Sequence, residues 1–331
     1  MSERGKVPEA IEWEIPSQLQ PNPRDCAFDL ERALQSVVGI RASVPEDAFT
    51  AANLGTERAG SGVVIRDDGL ILTIGYVITE AETIWLSTSD GRAAPGHVVA
   101  YDQETGFGLV QALGRLSLPA LPLGESSALR IEDPVILAAS GGRRHAVKAL
   151  VIARQEFAGY WEYLVDSAIF TAPAHPFWGG TGLIARDGTL VGIGSLHVQQ
   201  SSDRGVARDV NMVVPIDLLP PILDDLLTYG RPNRPARPWL GIYCAEAADK
   251  IVVHGLAATG PARAADLRIG DGILAVNSEN VADLAGLWRC LWTAGSAGAE
   301  IPIRVLRDGK VLTIRVKSAD RASYLKTPLV H

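Results

Sequence analysis

Cysteine is scarce. Cys26, Cys244 and Cys290 lie far apart in 331 residues, which excludes a disulfide scaffold and any C-x-x-C redox or zinc pair. The six histidines show no i, i+4 pairing and no cysteine neighbours, so neither a metal site nor a cofactor is expected. No stretch of about 20 apolar residues is present to cross a bilayer. The opening MSERGKVPEAIEWEIPSQLQ has no apolar core of signal-peptide length. Those two absences give the expectation of a cytoplasmic protein without a membrane partner. Basic residues are not in excess either: 31 Lys+Arg against 38 Asp+Glu leave a net charge of −7. A phosphate backbone usually needs a basic face, so nucleic acid is not an expected partner.

What is abundant is glycine, at 33 residues, together with alternating β-branched runs. Both favour a mostly β protein. The length exceeds one typical domain and predicts two. Asp-Gly pairs at Asp68-Gly69, Asp90-Gly91, Asp187-Gly188 and Asp308-Gly309 each separate two strand-like runs. Asp-Gly supplies the positive φ of a two-residue hairpin turn, so each predicts a hairpin.

Residues 1–24, rich in Pro, Glu and Gln, read as a tail or docking arm. Phe28, Leu30 and Leu34 suggest a short helix, SVVGIRAS a strand, and PEDAFTAANLGTERAG a surface loop. Residues 25–230 form the first domain, closing with an amphipathic helix that begins near Asp217. RPNRPARP, residues 231–238, reads as a stiff, extended spacer. A second domain covers 239–318, with strands WLGIYC and KIVVHGL, a turn at GPARAADL and a strand GILAVN. A helix carrying Leu284, Leu287, Trp288 and Leu291 follows at i, i+3, i+4, i+7. Residues 319–331 are a tail.

Several ordered motifs carry a family resemblance. GSGVVIRDDGLILT, LPALPLGESSALRIEDPVILA and VNMVVPIDLLPPILDDLL resemble successive segments of HtrA/Deg-type trypsin-like serine proteases. WLGI, GPARAADLRIGDGILAVN and the LRDGK hairpin look like that family's PDZ domain. The resemblance implies a trypsin-like double β-barrel followed by one PDZ domain (α+β), and possible assembly as a homotrimer.

It also implies where a catalytic triad should stand. A serine protease needs a hydroxyl, an imidazole to take its proton and a carboxylate to orient the imidazole. The family's histidine in TNNHVV falls on Tyr76, its aspartate in TDLAL on Gly106, and its serine in GNSGGPL on Gly179. A phenol with a reference pKa near 10 is a poor base near neutrality. The loop FTAPAHPFW is longer than the family's, and a shift of two would place Thr181 at the nucleophile position. A relocated site could use His175, four residues before Gly179, with Asp166-Ser167 upstream. The glycine turn from Ser140 to His145 could hold an anion or be a plain solvated loop.

In the second domain the resemblance makes the backbone N–H groups of Leu240, Gly241 and Ile242 a carboxylate-binding loop. The strand running on to Cys244 is then the edge that an extended peptide joins. Leu284, Leu287 and Trp288 supply an apolar wall. Three readings follow. The first is an inactive pseudoprotease binding peptides or unfolded polypeptides with apolar C-termini, as adaptor, chaperone or regulator. The second is a hydrolase using relocated residues, and the third an inert structural subunit. Against the first stands a domain packed onto its own barrel and closed to exchangeable ligands.

Overall fold

The computed structural model describes residues 13–201, 207–247 and 250–326. The first twelve residues of the expected arm and the last five of the tail lie outside them. The described chain is mostly β, as the sequence predicts. Strands β1 (Val37–Ser43), β2 (Glu57–Val64), β3 (Leu70–Ile74), β4 (Thr83–Ser87), β5 (Ala93–Tyr101) and β6 (Phe107–Ala112) close into a barrel. Strands β7 (Pro134–Ala138), β8 (Ala146–Gly159), β9 (Tyr163–Ala172), β10 (Gly182–Ile184), β11 (Leu190–Ser201) and β12 (Ala207–Pro215) close a second. Inward-facing Val, Ile and Leu of both barrels, among them Val38, Leu72, Leu109, Leu137, Ile193 and Val213, merge into one buried core.

Each Asp-Gly pair makes its hairpin. At Asp308-Gly309 both residues have positive φ, 50° and 75°, the conformation a tight turn demands of the sequence. The second domain's sheet holds β13 (Ile242–Ala247), β14 (Lys250–Leu256), β15 (Gly272–Val276), β16 (Glu279–Asn280), β17 (Glu300–Arg307) and β18 (Lys310–Lys317), with its own core.

The helices shift some boundaries. Helix α1 (Leu30–Gln35) starts at an Asp29 cap, whose carboxylate accepts the Arg32 N–H. PEDAFTAANLGTERAG is more than a surface loop. It forms α2 (Ala51–Leu54), and Thr50 is buried because the Glu80 carboxylate accepts its N–H and hydroxyl. The amphipathic helix does not begin near Asp217. That residue sits in a 3₁₀ turn and accepts the Ser126 and Ser127 N–H groups, while α3 (Pro220–Tyr229) starts on the Pro220-Pro221 pair. Proline at the first helical turn loses no hydrogen bond, which sets the start. GPARAADL contains a short helix, α4 (Pro261–Ala264), rather than a turn alone. Helix α5 (Leu284–Thr293) is capped by Asp283 and lies where the periodicity placed it.

The spacer is fastened rather than free. Arg234 and Arg237 both pair with Glu104, at 2.7 and 2.9 Å, and Arg237 also lies over the Trp292 ring. One hairpin joins the two bodies. The turn between β8 and β9 is only Tyr160-Trp161-Glu162, since Gly159 pairs with Tyr163. Beside that turn, Ala158 and Leu164 pack into the PDZ core.

Candidate functional site

A cavity of about 770 Å³ runs from the gap between the barrels to the β8–β9 turn and to Trp239, Ile242 and Tyr243 of the second domain. Tyr76 and Gly179 both line it, as do Trp13, Phe177 and Trp178. The Tyr76 hydroxyl donates to the Ser195 carbonyl at 2.8 Å, and burial pushes its pKa up. A partly buried phenol held to a carbonyl as donor takes no proton from a neighbour. A Cβ added to Gly179 would lie 2.8 Å from that same phenol oxygen. The tyrosine therefore stands beside the space a nucleophilic side chain would need.

Gly106 is set behind the cavity wall. Its carbonyl accepts the Gly75 N–H at 2.7 Å, and a Cβ there would meet the Tyr163 hydroxyl at 3.0 Å. The Tyr163 hydroxyl itself donates to the Thr105 carbonyl at 2.8 Å.

The two substitute residues are engaged elsewhere. Thr181 is buried, and its hydroxyl donates to the Trp178 carbonyl at 2.9 Å. His175 is fully buried: Nε2 bonds the His145 carbonyl at 3.0 Å, and Nδ1 accepts the Phe177 N–H at 3.0 Å. Burial pushes its pKa down to about 4. Upstream, Asp166 pairs with Arg289 of α5 at 2.6 Å, and the Ser167 hydroxyl accepts from Arg154. Among the described residues no hydroxyl or thiol is hydrogen-bonded to an imidazole.

Acyl transfer also needs amide donors aimed where an oxyanion would form. In this loop the Phe177 N–H is spent on His175, the Gly180 N–H on the Gly194 carbonyl and the Thr181 N–H on the Trp178 carbonyl.

The glycine turn after Ser140 is a 3₁₀ turn whose cations are paired, Arg143 with Glu31 and Arg144 with Glu14. His145 stacks on Trp13, with ring centroids 4.6 Å apart, and bonds its carbonyl at 2.9 Å. The turn thus docks the arm, which carries Trp13 into the cavity wall.

The carboxylate loop of the second domain is formed, and a carboxylate is in it. Leu240, Gly241 and Ile242 aim their N–H groups at Glu162 Oε1, at 3.2, 2.7 and 3.0 Å. Leu240 also reaches Oε2 at 3.1 Å. The Cys244 N–H donates to the Tyr160 carbonyl at 2.8 Å, and Trp161 makes an antiparallel bridge with Tyr243. The turn from Tyr160 to Glu162 therefore lies along the edge strand as a short added strand. The Trp288 indole N–H seals its start by donating to the Gly159 carbonyl at 2.9 Å. Leu287, Trp288 and Leu291 are buried in the PDZ core, and Leu284 is only partly covered. Cys244 contributes its backbone alone, since its side chain is buried. The groove expected to stand open is occupied by the chain itself.

Residues 60–193 match the trypsin-like peptidase domain family, and residues 238–318 match the PDZ domain family. The chain thus carries a trypsin-like peptidase domain followed by a PDZ domain. It is 26% identical over 319 residues to the serine endoprotease DegS of Salmonella typhimurium, covering 89% of this chain and 85% of that protein. It is 27% identical over 274 residues to a probable periplasmic serine endoprotease DegP-like of Halomonas elongata, covering 79% and 56%. The chain thus spans little more than half the length of the DegP-like proteins it matches. Its fold is similar to that of the HtrA-type protease AlgW solved with a decapeptide, with TM-score 0.52 and 22% identity over 91% of this chain and 98% of that one. The expectation of a cytoplasmic protein is overturned, because DegP-like relatives are named periplasmic. No described helix is long and apolar enough to cross a membrane.

Sequence reasoning missed Glu162, Tyr160 and Trp161. The one available signal was GYWEY, an aromatic pair in a turn that carries no Asp-Gly or Asn-Gly.

Proposed function

We propose that this HtrA-type protein is a pseudoprotease that holds polypeptide ends in its PDZ groove without cutting them, working beside its relatives in the periplasm. The observation that carries the reading is the loop of three amide N–H groups around one carboxylate oxygen. Such a cradle recognises a carboxylate of any origin, including a peptide C-terminus. The other half of the reading is the cleft. Tyr76 is a partly buried donor held by the Ser195 carbonyl, Gly106 and Gly179 bear no functional group, and His175 has both ring nitrogens committed to the backbone. Losing triad members costs about a million-fold in well-studied hydrolases.

The test pairs two measurements on the full chain. Casein and ester hydrolysis by pure protein should not exceed buffer, and His175→Ala should change nothing. Decapeptides with free apolar C-termini should bind in titration calorimetry, and their C-terminal amides should not. Turnover lost on His175→Ala would establish the relocated hydrolase instead.

A further inference from the structure

Glu162 is 6% exposed and its carboxylate takes every donor the loop offers. The register fixes what it imitates. With the Tyr160 carbonyl on the Cys244 N–H and Trp161 opposite Tyr243, the next residue, Glu162, falls opposite Ile242. That is the position the last residue of an antiparallel C-terminal peptide would take, with the glutamate side chain standing in for the chain end. Glu162 reaches it with φ at 32°, a conformation that disfavours non-glycine residues. The contact is therefore held by its surroundings rather than by local preference.

We propose that the β8–β9 turn is a resident, exchangeable ligand of the PDZ groove, and that a polypeptide C-terminus binds by evicting Glu162 from the Leu240–Ile242 loop. This rests on the reading of the groove as a peptide site and adds its regulation. Both occupants need the same three N–H groups and the same edge of β13, so they exclude one another. The resident has the advantage of being tethered, since an intramolecular ligand acts at high effective concentration. A peptide therefore binds with an affinity reduced by the fraction of time the groove is vacant. The Trp288 bond to Gly159 and the Arg289 pairs with Glu156 and Asp166 fix the base of the hairpin, outside the segment that must leave.

The experiment titrates decapeptides ending in a free apolar residue into wild type, Glu162→Gln and Glu162→Ala, all as full chains checked for cooperative unfolding. Hydrogen exchange of residues 159–163 is followed in parallel. Eviction predicts at least tenfold tighter binding by Glu162→Ala, with Glu162→Gln between. It also predicts that saturating peptide raises exchange in the wild-type turn. Equal affinity for all three proteins, or binding with the turn still protected, overturns the resident-ligand proposal and leaves the peptide site standing. Absence of binding to every protein, including Glu162→Ala, overturns both. If both variants fail to unfold cooperatively, exchange in wild type alone decides, by whether peptide deprotects the turn.

Discussion

The Glu162 carboxylate accepts the Gly241 N–H at 2.7 Å across 79 residues of sequence. That bond and its neighbours make the carboxylate loop an interdomain joint. Burial pushes the Glu162 carboxyl up to about 7, against the three amide donors and Arg321, which favour the charged form. Tyr243 and Cys244 of β13 also feel the Glu162 charge, and burial together with that charge keeps the Cys244 thiol protonated.

A pH dependence follows, with a definite sign. The pKa in the groove lies above the ordinary value of 4.5. The docked turn thus keeps a proton that a freed turn releases. The stabilisation is complete below pH about 4.5 and is lost as pH rises through about 7, by roughly 3 kcal/mol. Urea unfolding of wild type and Glu162→Gln measures it. The advantage of wild type should shrink between pH 4.5 and 7 and then level off.

Gly179→Ser should not restore proteolysis. Its Cβ would meet the Tyr76 phenol at 2.8 Å, and that phenol is anchored to the Ser195 carbonyl. Overpacking of this kind costs about 1–3 kcal/mol. Lower thermal stability with ester turnover unchanged from wild type is expected. The neighbour is less tolerant still. A Cβ on Gly180 would sit 1.9 Å from the Ser61 carbonyl oxygen, and its φ is 77°. Gly180→Ala should therefore destabilise the protein more than Gly179→Ala.

The hairpins were legible because Asp-Gly turns are local: each needs only two residues and their flanking runs. The carboxylate loop was legible through WLGI, and the α5 helix through the spacing of Leu284, Leu287, Trp288 and Leu291. The occupant of the groove was not. Periodicity reports which face of a strand is covered, and carries no information on which distant carboxylate reaches a given amide. Likewise Pro232, Pro235 and Pro238 spoke of stiffness, while the Glu104 that fastens Arg234 and Arg237 lies 130 residues before Arg234.

The C-terminal segment acts as a strap, which the notion of a plain tail does not convey. Ala319 exchanges backbone bonds with Trp239, both at 3.0 Å, and Tyr324 packs on Trp239 and Phe49 at 4.9 and 5.9 Å. The Lys326 N–H then reaches Glu80 at 2.9 Å, on the first barrel. Removing residues 319–331 uncovers the Trp239 face and takes one donor from Glu80. Truncation should lower the unfolding midpoint and raise exchange at Phe49 and Thr50. An unchanged midpoint would show that the strap contributes nothing.

His175 offers a second pH effect, opposite in sign. Burial holds its pKa near 4, below the ordinary 6.5, although the bond to the His145 carbonyl pulls the other way. The folded protein keeps the ring neutral where an unfolded chain would protonate it. Its stability contribution is therefore full above pH about 6.5 and is lost as pH falls through about 4, by roughly 3 kcal/mol. His175→Gln should be less stable than wild type at pH 7, because the Phe177 N–H and the His145 carbonyl lose shaped partners. The gap should narrow as the pH is taken down to 4, since glutamine has no proton to gain. Urea midpoints of the two proteins at pH 7, 5.5 and 4 test this, and comparison with Glu162→Gln separates the two groups. A constant gap across that range would mean that the imidazole keeps its ordinary, solvent-like pKa in the fold. Only a ring that is neutral and solvated near pH 7 could act as the base that the buried geometry denies it.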